Sequence, residues 1–163
     1  MTRNLMIMLA AGGSAGLLAG AYLFQFLGYP PCAMCLWQRW PHAAAIVIGV
    51  LALKVPGPWL AGCGAIAAAA TGGIGVYHTG VERDWWEGPA SCSGGGALDG
   101  LSGSDLLAIE GPQVVMCDQV SWELLTLSMA SWNALASFAL VVVWIVAARL
   151  SVGSTRAGSS RTA

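Results

Sequence analysis

Apolar positions along this chain do not alternate, nor do they mark one face of an otherwise polar helix. They run together in four long blocks separated by polar or Pro-Gly-rich breaks. Leu5 to Leu27 carries no charge. At about 1.5 Å per residue it extends about 34 Å, enough to cross a hydrocarbon core of about 30 Å. Trp40 to Leu53 would reach only about 21 Å on the same rise, so the second span is expected to extend back to Leu36, leaving Cys35 at the membrane boundary. Trp59 to Thr79, rich in Ala and Gly, is the third block, and Trp122 to Ala148 ends in Val-Val-Val-Trp-Ile-Val before Arg149. The pattern predicts an all-α membrane protein, a four-transmembrane-helix bundle with spans at 36–53, 59–79, 122–148 and, first in order, 5–27. The first run exceeds the apolar core of a secretory leader and meets no polar cleavage region before Phe24, so it reads as a retained helix.

Charge orients these spans. Only 9% of the residues are charged, against about 25% in soluble domains, and the near-balance of acids and bases leaves no basic surface for nucleic acid. Arg3, Lys54, Arg149, Arg156 and Arg161 fall on one side of the four-span arrangement, which the retention of basic residues makes cytoplasmic, with both termini there. The acids all lie between Glu82 and Glu123, in or beside the long external loop expected at 80–121. A short external loop occupies 28–35. Residues 1–150 read as one membrane domain, and the Ser/Gly/Thr/Arg-rich stretch 151–163 as a disordered cytoplasmic tail. Gly12, Gly16 and Gly20, like Gly64, Ala68 and Gly72, repeat at four-residue spacing and are expected to mark close helix contacts.

Depth also sorts the cysteines. Cys63, at the cytoplasmic end of the third span, reads as a buried structural residue. Cys32 and Cys35 form Pro-Cys-Ala-Met-Cys at the outer edge of the second span, and Cys92 and Cys117 lie in the long loop. Four of the five thus face an oxidising compartment if the membrane is a bacterial inner membrane. The Cys-x-x-Cys spacing suits a redox pair or half a zinc site, but no second such pair and no His-x3-His accompanies it, and Leu36 stands where c-type haem attachment needs His. The reading is a redox pair and no metal.

In the first turn of a helix, Cys35 would meet unpaired amides and the positive end of the helix dipole, with Arg39 one turn below; both favour a thiolate. His42 continues that stripe past Pro41 and reads as a polar residue at the interface. Between Cys92 and Cys117 the chain is rich in Gly and Ser, then carries Asp-Leu-Leu-Ala-Ile-Glu at 105–110, a short amphipathic helical turn suited to the membrane surface. A structural disulfide there would stabilise by about 3 to 4 kcal/mol in the chain-entropy model. A staple would be an odd use of so Gly-rich a loop, whereas a loop that carries a disulfide between two partners needs the mobility such a composition gives.

Four apolar blocks, Pro-Cys-Ala-Met-Cys-Leu-Trp-Gln-Arg opening the second, Tyr-His-Thr-Gly-Val-Glu closing the third, Trp-Trp-Glu-Gly-Pro-Ala-Ser-Cys in the loop and Cys-Asp-Gln-Val-Ser-Trp before the fourth together resemble the bacterial disulfide bond formation protein B (DsbB) family. The resemblance implies a quinone-linked thiol oxidase. A DsbA-like periplasmic oxidase of the thioredoxin fold would attack Cys92 and release Cys117; Cys117 would engage Cys32, and Cys35 would pass electrons to ubiquinone or menaquinone. Arg39 and His78 resemble the family's quinone-site residues, with Glu82 one turn beyond His78. Gln38 departs from relatives that carry an acid before the arginine, which leaves the partner open between a general oxidase and a dedicated one. In membrane thiol oxidases of the vitamin K epoxide reductase type the loop cysteines precede the Cys-x-x-Cys, the reverse of the order here. The remaining rival is a non-catalytic scaffold or small transporter whose cysteines are staples.

Overall fold

The computed structural model describes residues 2–90, 92 and 116–159. Four helices, α1 Arg3–Phe26, α2 Ala33–Lys54, α3 Pro58–Glu82 and α4 Met129–Ser159, surround the core, and a two-stranded antiparallel hairpin, β1 Glu123–Leu124 with β2 Leu127–Ser128, precedes α4. Local chemistry sets the starts. Thr2 caps α1 by accepting from the Leu5 amide at 3.4 Å. Pro30 and Pro31 hold the chain extended into Cys32, whose sulfur accepts from the Cys35 amide at 3.2 Å and so caps α2. Gly57, at φ 140°, turns the chain sharply enough for Pro58 to open α3.

α1, α3 and α4 are long and apolar enough to cross a membrane. Large apolar side chains face outward all round, among them Phe26, Trp40, Ile66 and Val142, which in water would be a liability and in lipid is the ordinary solution. α2 matches the others in length but carries Arg39, Pro41 and His42.

α3 is the central element, packed on α2 and α4, while α1 lies against α2 and α4. Near the end that carries Arg3 the core is Met6, Ile7, Ala10, Leu60, Ala61 and the fully buried Trp144. Gly64 makes room for that indole: a Cβ there would sit 2.6 Å from its ring. Gly72 and Gly75 admit Phe138 and the Ala130 carbonyl in the same way, so the small-residue row of α3 is a close contact as expected. The row of α1 is not. A Cβ on Gly12, Gly16 or Gly20 meets nothing within 4 Å, and Gly16 and Gly20 line a cavity instead. Arg3 donates to Ser151 Oγ and to the Ala52 and Val55 carbonyls, tying the starts and ends of three helices together where α2 leaves carbonyls unpaired.

Two expected boundaries move. The fourth helix does not begin at Trp122, because 123–128 turn back as the hairpin, and it runs on to Ser159, through most of the stretch read as a disordered tail. The amphipathic turn expected at 105–110 lies outside the described residues.

Candidate active site

The outer ends of α2, α3 and α4 meet around the cysteines. Cys32 Sγ lies 2.9 Å from Cys35 Sγ and 3.5 Å from Nε2 of His78, which the last turn of α3 supplies. The hydrogen bond to Cys35 and burial push the Cys32 thiol up from its ordinary pKa. Glu82, one turn beyond His78, brings a carboxylate oxygen to 3.7 Å from Nε2 and accepts a hydrogen bond from the Ser128 hydroxyl. Ser128 in turn accepts from the Ser131 amide at 3.2 Å, so one side chain caps α4 and holds Glu82.

The loop cysteines sit against this pair. Cys92 and Cys117 are joined as a disulfide with Cα atoms 5.0 Å apart, while Cys32 and Cys35 are free. Cys32, Cys92, Cys117, Met34 and Val81 form one buried cluster against which Cys35 packs. Both cysteine pairs therefore lie in one cluster, the loop pair bonded and the Cys-x-x-Cys pair unbonded. Cys63, half-buried on α3, is no part of it.

Beside the cysteines lies a cavity of about 400 Å³, with Leu17, Phe24 and Trp122 among its apolar walls and Cys35, Arg39 and His78 among its polar ones. Glu82 and His42 also reach it. Arg39 Nη1 donates to Gln25 Oε1 at 2.8 Å and its guanidinium lies 4.6 Å from the centre of the Tyr22 ring, so α1 supplies its contacts while its charge still acts on Cys35 one turn away. Its Nε is buried and has no hydrogen-bond partner among the described residues.

His42 is not an interfacial residue. It is 3% exposed and its Nε2 lies 2.9 Å from Asn133 Oδ1 of α4. Asn133 also reaches Gln38 and Thr71, and Gln38 reaches His78. These two amides, Gln38 buried and Asn133 half-buried, and the buried threonine were not among the expected site residues. Polar residues inside apolar spans are a functional signal in themselves, and Thr71 and Asn133 carry it. Their mutual contacts, across 33 to 95 residues of sequence, do not show in the chain.

The family model described as Disulfide bond formation protein DsbB matches residues 3–147. The chain belongs to the DsbB family. Among curated relatives, Disulfide bond formation protein B of Aromatoleum aromaticum (strain DSM 19018 / LMG 30748 / EbN1) is 34% identical over 143 residues, covering 81% of this chain and 83% of that one. The protein of the same name from Verminephrobacter eiseniae (strain EF01-2) is 30% identical over 152 residues, covering 89% and 84%. Disulfide bond formation protein B 2 of Pseudomonas aeruginosa PAO1 is 30% identical over 154 residues, covering 88% of each. No solved structure matches the chain. As a DsbB family member it is a membrane oxidoreductase of disulfide bond formation, and the structure brings its Cys32–Cys35 and Cys92–Cys117 pairs into one buried cluster.

Proposed function

We propose that this DsbB family member reoxidises a periplasmic thioredoxin-fold oxidase of the DsbA type and delivers the electrons to a membrane quinone. The observation that carries the reading is the contact between the loop disulfide and the Cys32–Cys35 pair at the wall of an apolar cavity. In this reading α2 crosses the bilayer with the other three helices, both termini are cytoplasmic in a bacterial inner membrane, and the cysteine cluster faces the periplasm.

A thiolate of the reduced partner attacks Cys92; the Cys92–Cys117 bond breaks and Cys117 takes the electron pair. Cys117 then attacks Cys32 of a Cys32–Cys35 disulfide and Cys35 leaves as thiolate. The partner's second thiolate frees Cys92 and closes the partner's own disulfide. Cys92 attacks Cys117, restoring the loop disulfide and leaving Cys32 and Cys35 reduced. Two electrons have moved from the partner to the Cys-x-x-Cys pair, and each step forms one S–S bond while breaking another.

The cavity fits a quinone by its lining: apolar walls for a ring and isoprenoid, an unpaired buried donor on Arg39, and Cys35, His78 and Glu82 at one side. Ubiquinone or menaquinone held there by Arg39 and His78 would supply the two-electron acceptor that a pair of thiols lacks. Arg39 also supplies the fixed positive charge that favours negative charge on a ring oxygen.

The test is quinone reduction by the purified protein with a reduced thioredoxin-fold partner. Cys35→Ser is expected to abolish it and Cys63→Ser to leave it; equal activity in both would refute the assignment. In Cys117→Ala, a mixed disulfide of the partner with Cys92 is expected to accumulate. A scaffold with structural staples would give none.

A further inference from the structure

Two backbone carbonyls decide the state of both buried histidines. Gln38 Nε2 lies 3.3 Å from the Met34 carbonyl oxygen, which can only accept, so the nitrogen of that amide is fixed. The same Nε2 lies 3.1 Å from His78 Nδ1, which must then be the unprotonated ring nitrogen. Independently, the Thr71 hydroxyl spends its one proton on the Gln38 carbonyl at 3.1 Å, so it accepts from Asn133 Nδ2 at 3.2 Å. That nitrogen also donates to Gln38 Oε1 at 2.6 Å, and Asn133 Oδ1 is left to accept from His42 Nε2. Both anchors agree on every donor and acceptor in the chain.

The proton of neutral His78 is thereby assigned to Nε2. That atom faces Cys32 Sγ at 3.5 Å and Glu82 at 3.7 Å, and, with Nδ1 accepting from Gln38, it is this same N–H that also serves the Cys117 backbone. One consequence concerns metal. The ligand-type atoms of Cys32, Cys35 and His78 lie within 4.8 Å of one another, yet a protonated Nε2 has no lone pair to give an ion.

We propose that Gln38 and Asn133 are positioning residues that hold His78 as the Nε2–H tautomer, a hydrogen-bond donor to the Cys32 sulfur as it leaves during exchange between the two cysteine pairs. The inference rests on the electron path above. In its final step the Cys92 thiolate attacks Cys117 of the Cys117–Cys32 mixed disulfide. The Cys92–Cys117 bond forms, the Cys117–Cys32 bond breaks, and the electron pair goes to Cys32, where the Nε2–H stabilises the developing charge. The proton that Cys92 lost is matched by the one the Cys32 thiol regains. His78 touches a reacting atom; Gln38 and Asn133 act only through it.

The experiment has two readouts, neither of which involves a quinone. In protein labelled with nitrogen-15 at histidine and reduced at Cys32 and Cys35, His78 is expected to carry its proton on Nε2, with Nδ1 at the shift of a hydrogen-bond acceptor. Gln38→Leu is expected to remove the acceptor shift. Fully oxidised protein is then mixed with a reduced thioredoxin-fold protein and the Cys117–Cys32 mixed disulfide is trapped by acid and alkylation over time. Its lifetime is expected to lengthen about tenfold in Gln38→Leu, the loss of one hydrogen bond to a charged group, and to lengthen less in Asn133→Leu, which keeps the Met34 anchor. Asn133→Leu carries the test alone if Gln38→Leu does not fold. A His78 proton on Nδ1 in the unmutated protein, or an unchanged lifetime in the folded variants, overturns the proposal. If the unmutated protein never forms the mixed disulfide, the electron path itself is wrong.

Discussion

Replacing Arg39 by Met should raise the quinone concentration needed for half-maximal turnover while leaving thiol exchange between the cysteine pairs intact. The magnitude follows from one atom. Arg39 Nε is buried and hydrogen-bonds to none of the described residues, whereas Nη1 already serves Gln25 Oε1 and the guanidinium plane already lies over Tyr22. A desolvated donor left unpaired costs about 1–3 kcal/mol, and a bound carbonyl oxygen that accepts from it recovers that cost. At about 1.4 kcal/mol per factor of ten, losing this contact should weaken quinone binding about 5- to 150-fold. Arg39→Lys keeps the charge but has no nitrogen at the Nε position, so it should recover only part of the loss. Gln25→Leu frees Nη1 without touching Nε and should have the smallest effect. The assay is steady-state quinone titration for KM and kcat, beside a single-turnover measurement of electron transfer from Cys92 and Cys117 to Cys32 and Cys35 without quinone. A half-saturating concentration in Arg39→Met within twofold of the unmutated protein would sink the reasoning, because it would mean that the unpaired Nε never meets the ligand.

The same cavity makes Gly20→Leu informative: its Cβ meets nothing, so the protein should fold and keep its thiol exchange, while the side chain occupies part of the roughly 400 Å³ and raises KM for quinone; unaltered quinone kinetics would place the ligand elsewhere. Gly64→Ala should destabilise by up to about 2 kcal/mol, the overpacking against the fully buried Trp144 at about 1–3 kcal/mol being offset by a helix-propensity gain of about 1 kcal/mol. Thermal unfolding in detergent would show it, with partial rescue by Trp144→Phe, and a stabilised Gly64→Ala would contradict the packing. The raised pKa of Cys32 predicts an order of alkylation in the reduced protein. A group whose pKa lies above its ordinary value stays a thiol where an ordinary cysteine ionises, so at mildly alkaline pH Cys35 should be modified before the buried Cys32, with Cys32 reacting only as the pH climbs further. Peptide mapping after a short pulse checks the order, and Cys32 reacting first would refute it.

What could be read from the chain was local. A charge-free run of the right length gives a span, and Pro-Pro-Cys before an apolar block gives a helix start with sulfur at its cap. The side of the molecule on which Cys92, Cys117, His78 and Glu82 would gather followed from counting spans. What could not be read depended on what stands opposite. The small-residue rows of α1 and α3 have the same spacing and opposite meanings: Gly64 and Gly72 face aromatic rings of α4, while Gly16 and Gly20 face the cavity. Spacing alone fixes a face of a helix, not its neighbour. Arg39 is the same lesson in charge. One turn from Cys35 it was the obvious partner, yet Gln25 and Tyr22 of α1 hold it, because a long side chain at a helix end reaches across to the next helix as easily as along its own.

The hairpin before α4 was hidden for a different reason, and it is the element on which the site depends most. Leu125 and Thr126 both adopt positive φ, 54° and 63°, which side-chain-bearing residues avoid and which no Asn-Gly signal announced. Such strain, on the order of 1 kcal/mol or more per residue, persists only where the surroundings hold it. Here Arg83 donates to the Thr126 carbonyl at 3.0 Å, the Trp132 indole donates to the Leu124 carbonyl at 3.1 Å, and Ser128 donates to Glu82. The strained turn thereby starts α4 at Met129 with Ser128 beneath Glu82. It also leaves Trp122 free of the helix to pack on Phe24, ring centres 5.0 Å apart, at the cavity wall. A helix running straight from Trp122 would have satisfied its own backbone and lost both contacts. The sequence preference for helix there gives way because the hairpin joins the ends of α3 and α4 around the cysteines, and that junction is where the two cysteine pairs meet.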